Sequence, residues 1–160
     1  KWRDGAGKNE CKPCPANSGT RTSSSTASTN CTANAGYTGA DGGSATACPQ
    51  DTFKAATGSA DCSACPTNAK TGAGITGSEA IAACKAPAGY KGVDGEAAVK
   101  CPADTFKADI GSADCSACPA DTQTADKTGS TASTDCVAKE ATDSCTGSSS
   151  DDSAAAWWVC

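Results

Sequence analysis

Residues 48–66 read CPQDTFKAATGSADCSACP, and residues 101–119 repeat them almost unchanged as CPADTFKADIGSADCSACP. Both stretches end in a C-x2-C pair followed by proline, and CKPCP at residues 11–15 is a third copy of that ending. Recurrence at a long, nearly fixed period is the sequence signature of a repeat architecture. We therefore expect an array of cysteine-framed modules instead of one globular domain.

Two further matches extend the repeat. TASTNC (26–31) returns as TASTDC (131–136), and CTANAGYTGADGGSATAC (31–48) returns as CKAPAGYKGVDGEAAVKC (84–101). These matches predict four parts: a partial first repeat at 1–47, a second repeat at 48–100, a third repeat at 101–144, and a C-terminal Ser/Asp/Trp segment at 145–160.

The composition leaves little material for an apolar core. Aromatic residues make up 4% of the chain, Met and His are absent, and there is no Leu. Apolar burial contributes roughly 25 cal/mol per Å², whereas ordering the backbone costs roughly 1–2 kcal/mol per residue. The 13 cysteines are therefore expected to hold the fold as disulfides, which persist in oxidising compartments. This predicts an extracellular or cell-surface location.

The cysteine spacing ranks the possible disulfides without proving any of them. A bridge inside one C-x2-C pair closes a small ring that is typical of redox sites. We therefore expect the first cysteine of each pair to bond backward and the second forward. This predicts six disulfides: Cys14–Cys31, Cys48–Cys62, Cys65–Cys84, Cys101–Cys115, Cys118–Cys136 and Cys145–Cys160.

The motif CP-x-D-T-F-K-x3-G-S-A-D-C-S-A-C-P resembles the ephrin-receptor-like cysteine-rich repeat, with Asp51 and Asp104 where Gly is usual. The repeat is also similar in general character to tumour-necrosis-factor-receptor modules, and its segments with Gly-Tyr followed by a Gly turn resemble EGF-like modules. The resemblance implies a small disulfide-rich fold: elongated tandem cysteine-rich (TNF-receptor/EGF-like) modules with short β-hairpins and little regular secondary structure.

Ala/Ser/Thr/Gly-rich arrays of this type are similar to the ectodomains of protist and algal surface proteins, including immobilisation antigens and mastigoneme shaft proteins. The resemblance implies a structural component of an extracellular filament, appendage or cell-surface coat. Other copies of the same chain would then be its partners. The alternative is a cysteine-rich receptor ectodomain or adhesin that binds a specific ligand.

Other function classes find little support in the residues. The absence of His excludes His-dependent catalytic triads, so we expect no enzyme and no cofactor. The single, widely spaced remaining cysteines argue against zinc. With a net charge of −5 and no basic cluster, nucleic acid is not an expected partner. No run of about 20 apolar residues predicts a membrane span. The polar start KWRDGAGKNE lacks a signal peptide, which favours a processed product or an internal piece.

Five residues outside the predicted disulfides are candidate sites. Cys11 has no backward partner within the chain, so it is expected to bond to a cysteine upstream or in another subunit, for example Cys160 of a neighbouring copy. Asn30 begins the sequon Asn30-Cys31-Thr32 and is a glycosylation candidate, and the Ser/Thr-rich loops suit further covalent glycans. Trp2, Trp157 and Trp158 are expected to make a subunit or module contact.

Overall fold

The computed structural model describes residues 1–3 and 11–140. In that part the regular structure consists of two- and three-residue β-strands and three 3-10 turns, without an α-helix. Gly, Asp-Gly and Ser/Thr clusters interrupt every apolar stretch, and such residues favour turns over long elements.

The strands of the described part pair into antiparallel hairpins. The pairs are β1 (Trp2–Arg3) with β2 (Cys11–Lys12), β3 (Ser18–Thr20) with β4 (Cys31–Ala33), β5 (Tyr37–Thr38) with β6 (Thr46–Ala47), β7 (Thr52–Phe53) with β8 (Ser63–Ala64), β9 (Tyr90–Lys91) with β10 (Val99–Lys100), β11 (Thr105–Phe106) with β12 (Ser116–Ala117), and β13 (Thr122–Gln123) with β14 (Val137–Ala138). The 3-10 turns Ser28–Asn30, Ile81–Ala83 and Ser133–Asp135 each end beside a cysteine.

Five disulfides frame these hairpins and define two kinds of module. Short-loop modules are closed by Cys48–Cys62 and Cys101–Cys115, each with a sequence separation of 14. Long-loop modules are closed by Cys14–Cys31, Cys65–Cys84 and Cys118–Cys136, with separations of 17, 19 and 18. These are the pairs that the spacing favours. The expected Cys145–Cys160 bridge lies outside the described residues.

A Gly-Tyr hairpin precedes each short-loop module. The first contains β5 and β6, and the second contains β9 and β10. The chain therefore runs from long-loop module to Gly-Tyr hairpin to short-loop module, and then repeats this order. The prediction of a small disulfide-rich fold of tandem modules with short hairpins is confirmed.

Every module opens with the same turn after its Cys-Pro pair. The third residue after the cysteine has a positive φ in all five copies: Asn17 (57°), Asp51 (63°), Asn68 (61°), Asp104 (61°) and Asp121 (58°). Asn and Asp tolerate this left-handed region better than other residues with a side chain. This explains how Asp51 and Asp104 occupy a position where Gly is usual.

The interior of the array contains small residues and sulfur. The buried apolar positions are Cys31, Ala33, Ala45, Cys48, Ala69, Cys84, Ala86, Ala98 and Cys101. By contrast, every Ile and Val between residues 11 and 140 is exposed, from Ile81 at 46% to Val93 at 62%. The disulfides and backbone hydrogen bonds therefore organise the core, and large aliphatic side chains do not.

Contacts in the array are local along the chain. Among the described residues, the hydrogen bond with the largest sequence separation joins Arg21 to Thr57, which are 36 positions apart. Modules thus contact their sequence neighbours, as in a solenoid. Within this part of the chain, no helix has the length and apolar character needed to cross a membrane.

Candidate functional site

The structurally decisive site is the junction between modules, and a buried lysine lies at its centre. Lys54 and Lys107 follow the Thr-Phe pair of the two short-loop modules, and each is only 5% exposed. Lysine is almost never buried without a partner. Both side chains must therefore find acceptors within the array.

Backbone carbonyls supply those acceptors. The Nζ of Lys107 donates to the carbonyl of Tyr90 at 2.8 Å and to that of Ala86 at 3.2 Å. It also donates to the carbonyl of Gly111 in its own loop. Lys54 repeats the arrangement, because its Nζ donates to the carbonyls of Tyr37 and Gly58. Each ammonium group thus joins a Gly-Tyr hairpin to a short-loop module, and Lys107 also reaches the preceding long-loop module.

The backbone of the same lysine ties in the following module. The N–H of Lys54 donates to the carbonyl of Ser78 at 3.0 Å, and the N–H of Lys107 donates to the carbonyl of Ser130 at 3.1 Å. Both serines are buried residues of the next long-loop module. One residue therefore holds consecutive parts of the repeat in register, and we call this arrangement the lysine clamp.

The clamp places a cation in a poorly hydrated environment. Burial lowers the pKa of Lys107, and the negative charges of Asp94 and Asp109 partly oppose this shift. In the described part of the chain, no carboxylate forms an ion pair with Lys107 within 4.0 Å. Carbonyl dipoles are therefore its direct partners.

Close backbone contact forms the second element of the junction. Gly36 (φ 76°) and Gly89 (φ 75°) begin the Gly-Tyr hairpins, and a Cβ on either residue would overlap a carbonyl of the next long-loop module, at Gly77 and Gly129 respectively. The positive φ adds a second reason for glycine. These positions allow two modules to approach backbone to backbone.

A reciprocal Asp–Thr contact forms the third element. The N–H of Asp104 donates to Thr124 Oγ1 at 2.8 Å, and the N–H of Thr124 donates to Asp104 Oδ1 at 2.9 Å. Asp51 and Thr71 make the same pair at 3.0 and 3.1 Å. Burial acts to raise the pKa of Asp51, but hydrogen bonds from Lys70 and Thr71 outweigh it and leave the pKa below its usual value.

The junction pattern matches a known family. The model described as tyrosine-protein kinase ephrin type A/B receptor-like matches residues 36–84 and 93–136, which together make up more than half of the chain. The chain belongs to this ephrin-receptor-like family. Both matches end at the last cysteine of a long-loop module. The first begins at Gly36 and includes its Gly-Tyr hairpin, whereas the second begins at residue 93, after Gly89 and Tyr90. A comparison with curated proteins finds no match.

Ephrin-receptor-like cysteine-rich repeats are a non-catalytic type of domain, and they indicate an extracellular location here. In each C-x2-C pair from Cys62 onward, the two sulfurs belong to different disulfides. Among the described residues, no group of three or more His, Cys, Asp or Glu side chains is placed to hold a metal ion.

The first described residues repeat part of the junction geometry. Trp2 pairs with Lys12 across β1 and β2, as Phe53 pairs with Ser63 in the first short-loop module. The N–H of Arg3 donates to the carbonyl of buried Ser25 at 2.7 Å, which is the bond that Lys54 makes with Ser78. Arg3 therefore occupies the clamp position, although it is exposed.

Cys11 corresponds to Cys62, since it lies eight residues after Arg3 as Cys62 lies eight after Lys54. It is exposed and has no disulfide partner among the described residues. Trp2 is half-buried, with the Nζ of Lys12 5.3 Å from its ring centroid. Trp157 and Trp158 lie outside the described residues, so their expected contact stays a prediction.

The opposite end of the described array exposes the complementary half of a junction. Ala33 and Ala86 each lie two residues after the last cysteine of a long-loop module and are 2% and 1% exposed. Ala138 stands at the same position after Cys136 but is exposed. In the first two copies this carbonyl accepts a hydrogen bond from the following short-loop module, from Gly58 and Gly111 respectively.

The sequon residue Asn30 lies beside a polar cleft of about 580 Å³ between the first long-loop and first short-loop modules. Asn30 is exposed, whereas Cys31 is fully buried. No described residue makes a side-chain hydrogen bond with the Asn30 amide.

Reasoning from sequence missed the lysine clamp. Thr-Phe-Lys recurs in phase at both short-loop modules, and that recurrence is the signal that was available. A lysine at a fixed repeat position, in a chain with few large apolar residues, is a candidate for a structural role.

Proposed function

We propose that this chain is a structural component of an extracellular filament, appendage or cell-surface coat, built as a disulfide-stapled and glycosylated rod. The observation that carries the proposal is the repeated junction, whose disulfides, lysine clamp and backbone contacts recur in phase. The buried lysines and serines of each junction form hydrogen bonds between neighbouring modules. Local, repeated contacts of this kind suit a mechanical element.

Association with other copies of the chain follows from the two exposed half-junctions. Residues 1–3 and 11–12 present a clamp residue, Arg3, whose side chain has none of the acceptors of Lys107 among the described residues. Residues 137–140 present the Ala138 carbonyl, for which the described part of the chain supplies no counterpart of the Gly111 N–H that bonds to Ala86. Joining the two ends of different copies head to tail would reproduce a junction already present within the chain.

Charge supports this orientation. Residues 1–12 contain four basic and two acidic side chains, a net charge of +2, whereas residues 141–160 contain three Asp residues and no Lys or Arg, a net charge of −3. Opposite charges at the two ends favour head-to-tail encounter over head-to-head encounter. A heterologous contact that does not close into a ring continues into a filament.

Cys11 would lock the contact covalently. Its thiol and a thiol of a neighbouring copy, for which Cys160 is the candidate, would each lose a proton. The two electrons would pass to an oxidant such as glutathione disulfide. Trp2, Trp157 and Trp158 would add apolar contact at the same joint.

Sedimentation velocity of the oxidised chain at increasing concentration tests the proposal. We expect larger species to form with concentration, and a ladder on non-reducing gels that collapses to one band on reduction. Cys11→Ser should abolish the ladder but leave reversible association, while Arg3→Glu should weaken that association. Lys85→Glu makes the same kind of charge change at an exposed residue in the middle of the described array and serves as the control.

A chain that stays monomeric at all concentrations, with and without reductant, would contradict self-assembly. A ladder that persists in Cys11→Ser would show that the covalent joint lies elsewhere.

A further inference from the structure

The polar cleft beside Asn30 lies in the first repeat. It is lined by hydroxyl, amide and charged groups that include Arg21, Ser25, Thr29 and Asp41. Arg21 crosses the module boundary and donates a hydrogen bond to the carbonyl of Thr57 at 2.5 Å. The cleft thus lies across the joint between a long-loop and a short-loop module.

The corresponding surface of the second repeat is less polar at three positions. Gly72 replaces Arg21, Ile110 replaces Thr57 and Ala83 replaces Asn30. A Cβ on Gly72 would lie 3.5 Å from Ile75 and 3.9 Å from Ile110, so two half-exposed isoleucines lie together there. The acceptor asparagine therefore occurs together with Arg21 and Thr57 in the first copy, and all three are replaced in the second.

Local backbone geometry makes the sequon accessible despite its central cysteine. Asn30 ends the 3-10 turn Ser28–Asn30, and β4 begins at Cys31. Successive side chains along extended backbone point to opposite faces. Cys31 is fully buried in its disulfide with Cys14, whereas Asn30 and Thr32 both line the cleft. The disulfide thus occupies the face away from the acceptor.

From this placement we infer that an N-linked glycan on Asn30 has its first sugars seated in the cleft, where it bridges the first two modules. The inference rests on the proposed passage of the chain through the secretory pathway. In the transfer step, the Asn30 amide nitrogen bonds to the anomeric carbon of a lipid-diphosphate-linked oligosaccharide. The amide loses one proton and the lipid diphosphate leaves.

The cleft suits the inner sugars by its chemistry. Sugar hydroxyls both donate and accept hydrogen bonds, and the lining offers Ser and Thr hydroxyls, a carboxylate and a guanidinium. No aromatic residue lines the cleft, so hydrogen bonding would hold the sugars in place of ring stacking. A glycan seated in the cleft would then shield its linkage to Asn30 from a glycosidase.

The test uses the full chain secreted from a eukaryotic cell that adds N-glycans. Cleavage by peptide-N-glycosidase is followed by intact mass on the native protein and on the reduced, denatured protein. We expect a glycan at Asn30 that is absent from Thr32→Ala. In the native state it should be released at least about tenfold more slowly than from a comparison variant, since one net hydrogen bond shifts an equilibrium by roughly that factor.

The second repeat supplies that comparison variant. Ala83→Asn combined with Lys85→Thr, in a Thr32→Ala background, places the same sequon on the surface where Gly72 and Ile110 replace Arg21 and Thr57. We expect its glycan to be released rapidly in the native state. Arg21→Gly with Thr57→Ile, which transfers the residues of the second repeat into the cleft, should accelerate release from Asn30.

Each contrary result has its own meaning. If the chain is secreted with its five disulfides but carries no glycan at Asn30, the inference is wrong while the proposed function stands. If Asn30 is glycosylated but its glycan is released as fast as the one at residue 83, the seated glycan is refuted. If the chain is retained in the cell with free thiols, the proposed extracellular function itself fails.

Discussion

Replacing Lys107 by methionine tests the lysine clamp, because it removes the ammonium group and retains most of the aliphatic stem. The carbonyls of Ala86, Tyr90 and Gly111 would lose their hydrogen bonds from the ammonium group, and Ala86 would keep only the N–H of Gly111. Hydrogen bonds to a charged group contribute about 1.5–3 kcal/mol each, and the desolvation of the ammonium offsets several kcal/mol of that total. We expect a net loss of about 2 kcal/mol, which corresponds to about a 30-fold change in a local opening equilibrium.

Native-state hydrogen exchange measures this opening directly. The amide of Gly111, bonded to Ala86, and that of Gly89, bonded to Lys107, lie on either side of the clamp. Their exchange should accelerate about 30-fold in Lys107→Met. The amide of Gly58 reports on the first clamp and should not change.

Lys127→Met, at an exposed position, should leave all three amides unaffected. Acceleration of less than about threefold at Gly111, a difference of well under 1 kcal/mol, would refute the clamp. Equal acceleration at Gly58 would also refute it, because the effect would then not be local.

Three further substitutions or conditions test the other junction elements. In chemical denaturation, Gly89→Ala should lower the free energy of unfolding by about 1–3 kcal/mol. Gly74→Ala is the control, because Gly74 has a similar φ of 73° but nothing within 4 Å, and its effect should be smaller. Equal effects would refute the close contact between Gly89 and the Gly129 carbonyl. Thr124→Val should cost about 1–3 kcal/mol, because Thr124 is 1% exposed and its hydroxyl accepts from the Asp104 N–H; unchanged stability would contradict that role. The pKa of Asp51 is lowered from 3.8 in the folded chain, so its contribution should be complete above that pH and lost as the pH falls further. Asp51→Asn should flatten this acid limb, and an unaltered pH profile would rule out the Asp51 contribution.

Disulfide pairing was the part of the fold most accessible to sequence reasoning. Loop lengths and the strain of a C-x2-C ring favour one regular scheme over the alternatives, and the five disulfides of the described residues follow it. The boundaries at 47/48, 100/101 and 144/145 stay predictions, as do the contacts of Trp157 and Trp158. Asn30 stays a predicted glycosylation site.

The lysine clamp could not be predicted from the sequence in the same way. Lysine is ordinarily a surface residue. The burial of Lys107 depends on the carbonyls of Ala86 and Tyr90, which come together only after the modules stack. The equivalence of Arg3 with Lys54 was hidden for a similar reason. Residues 1–3 (Lys-Trp-Arg) share no identical residue with the aligned Thr-Phe-Lys at 52–54. The hydrogen bond from the Arg3 N–H to the Ser25 carbonyl reveals their equivalence.

Mass-spectrometric mapping of the disulfides in the oxidised chain, after proteolysis without reduction, tests the central claim most directly. The account predicts that the two cysteines of a C-x2-C pair lie in different bridges, with Cys62 bonded to Cys48 and Cys65 bonded to Cys84. A bridge between Cys62 and Cys65, or between Cys115 and Cys118, would contradict it, because the joint between modules would then have no covalent frame.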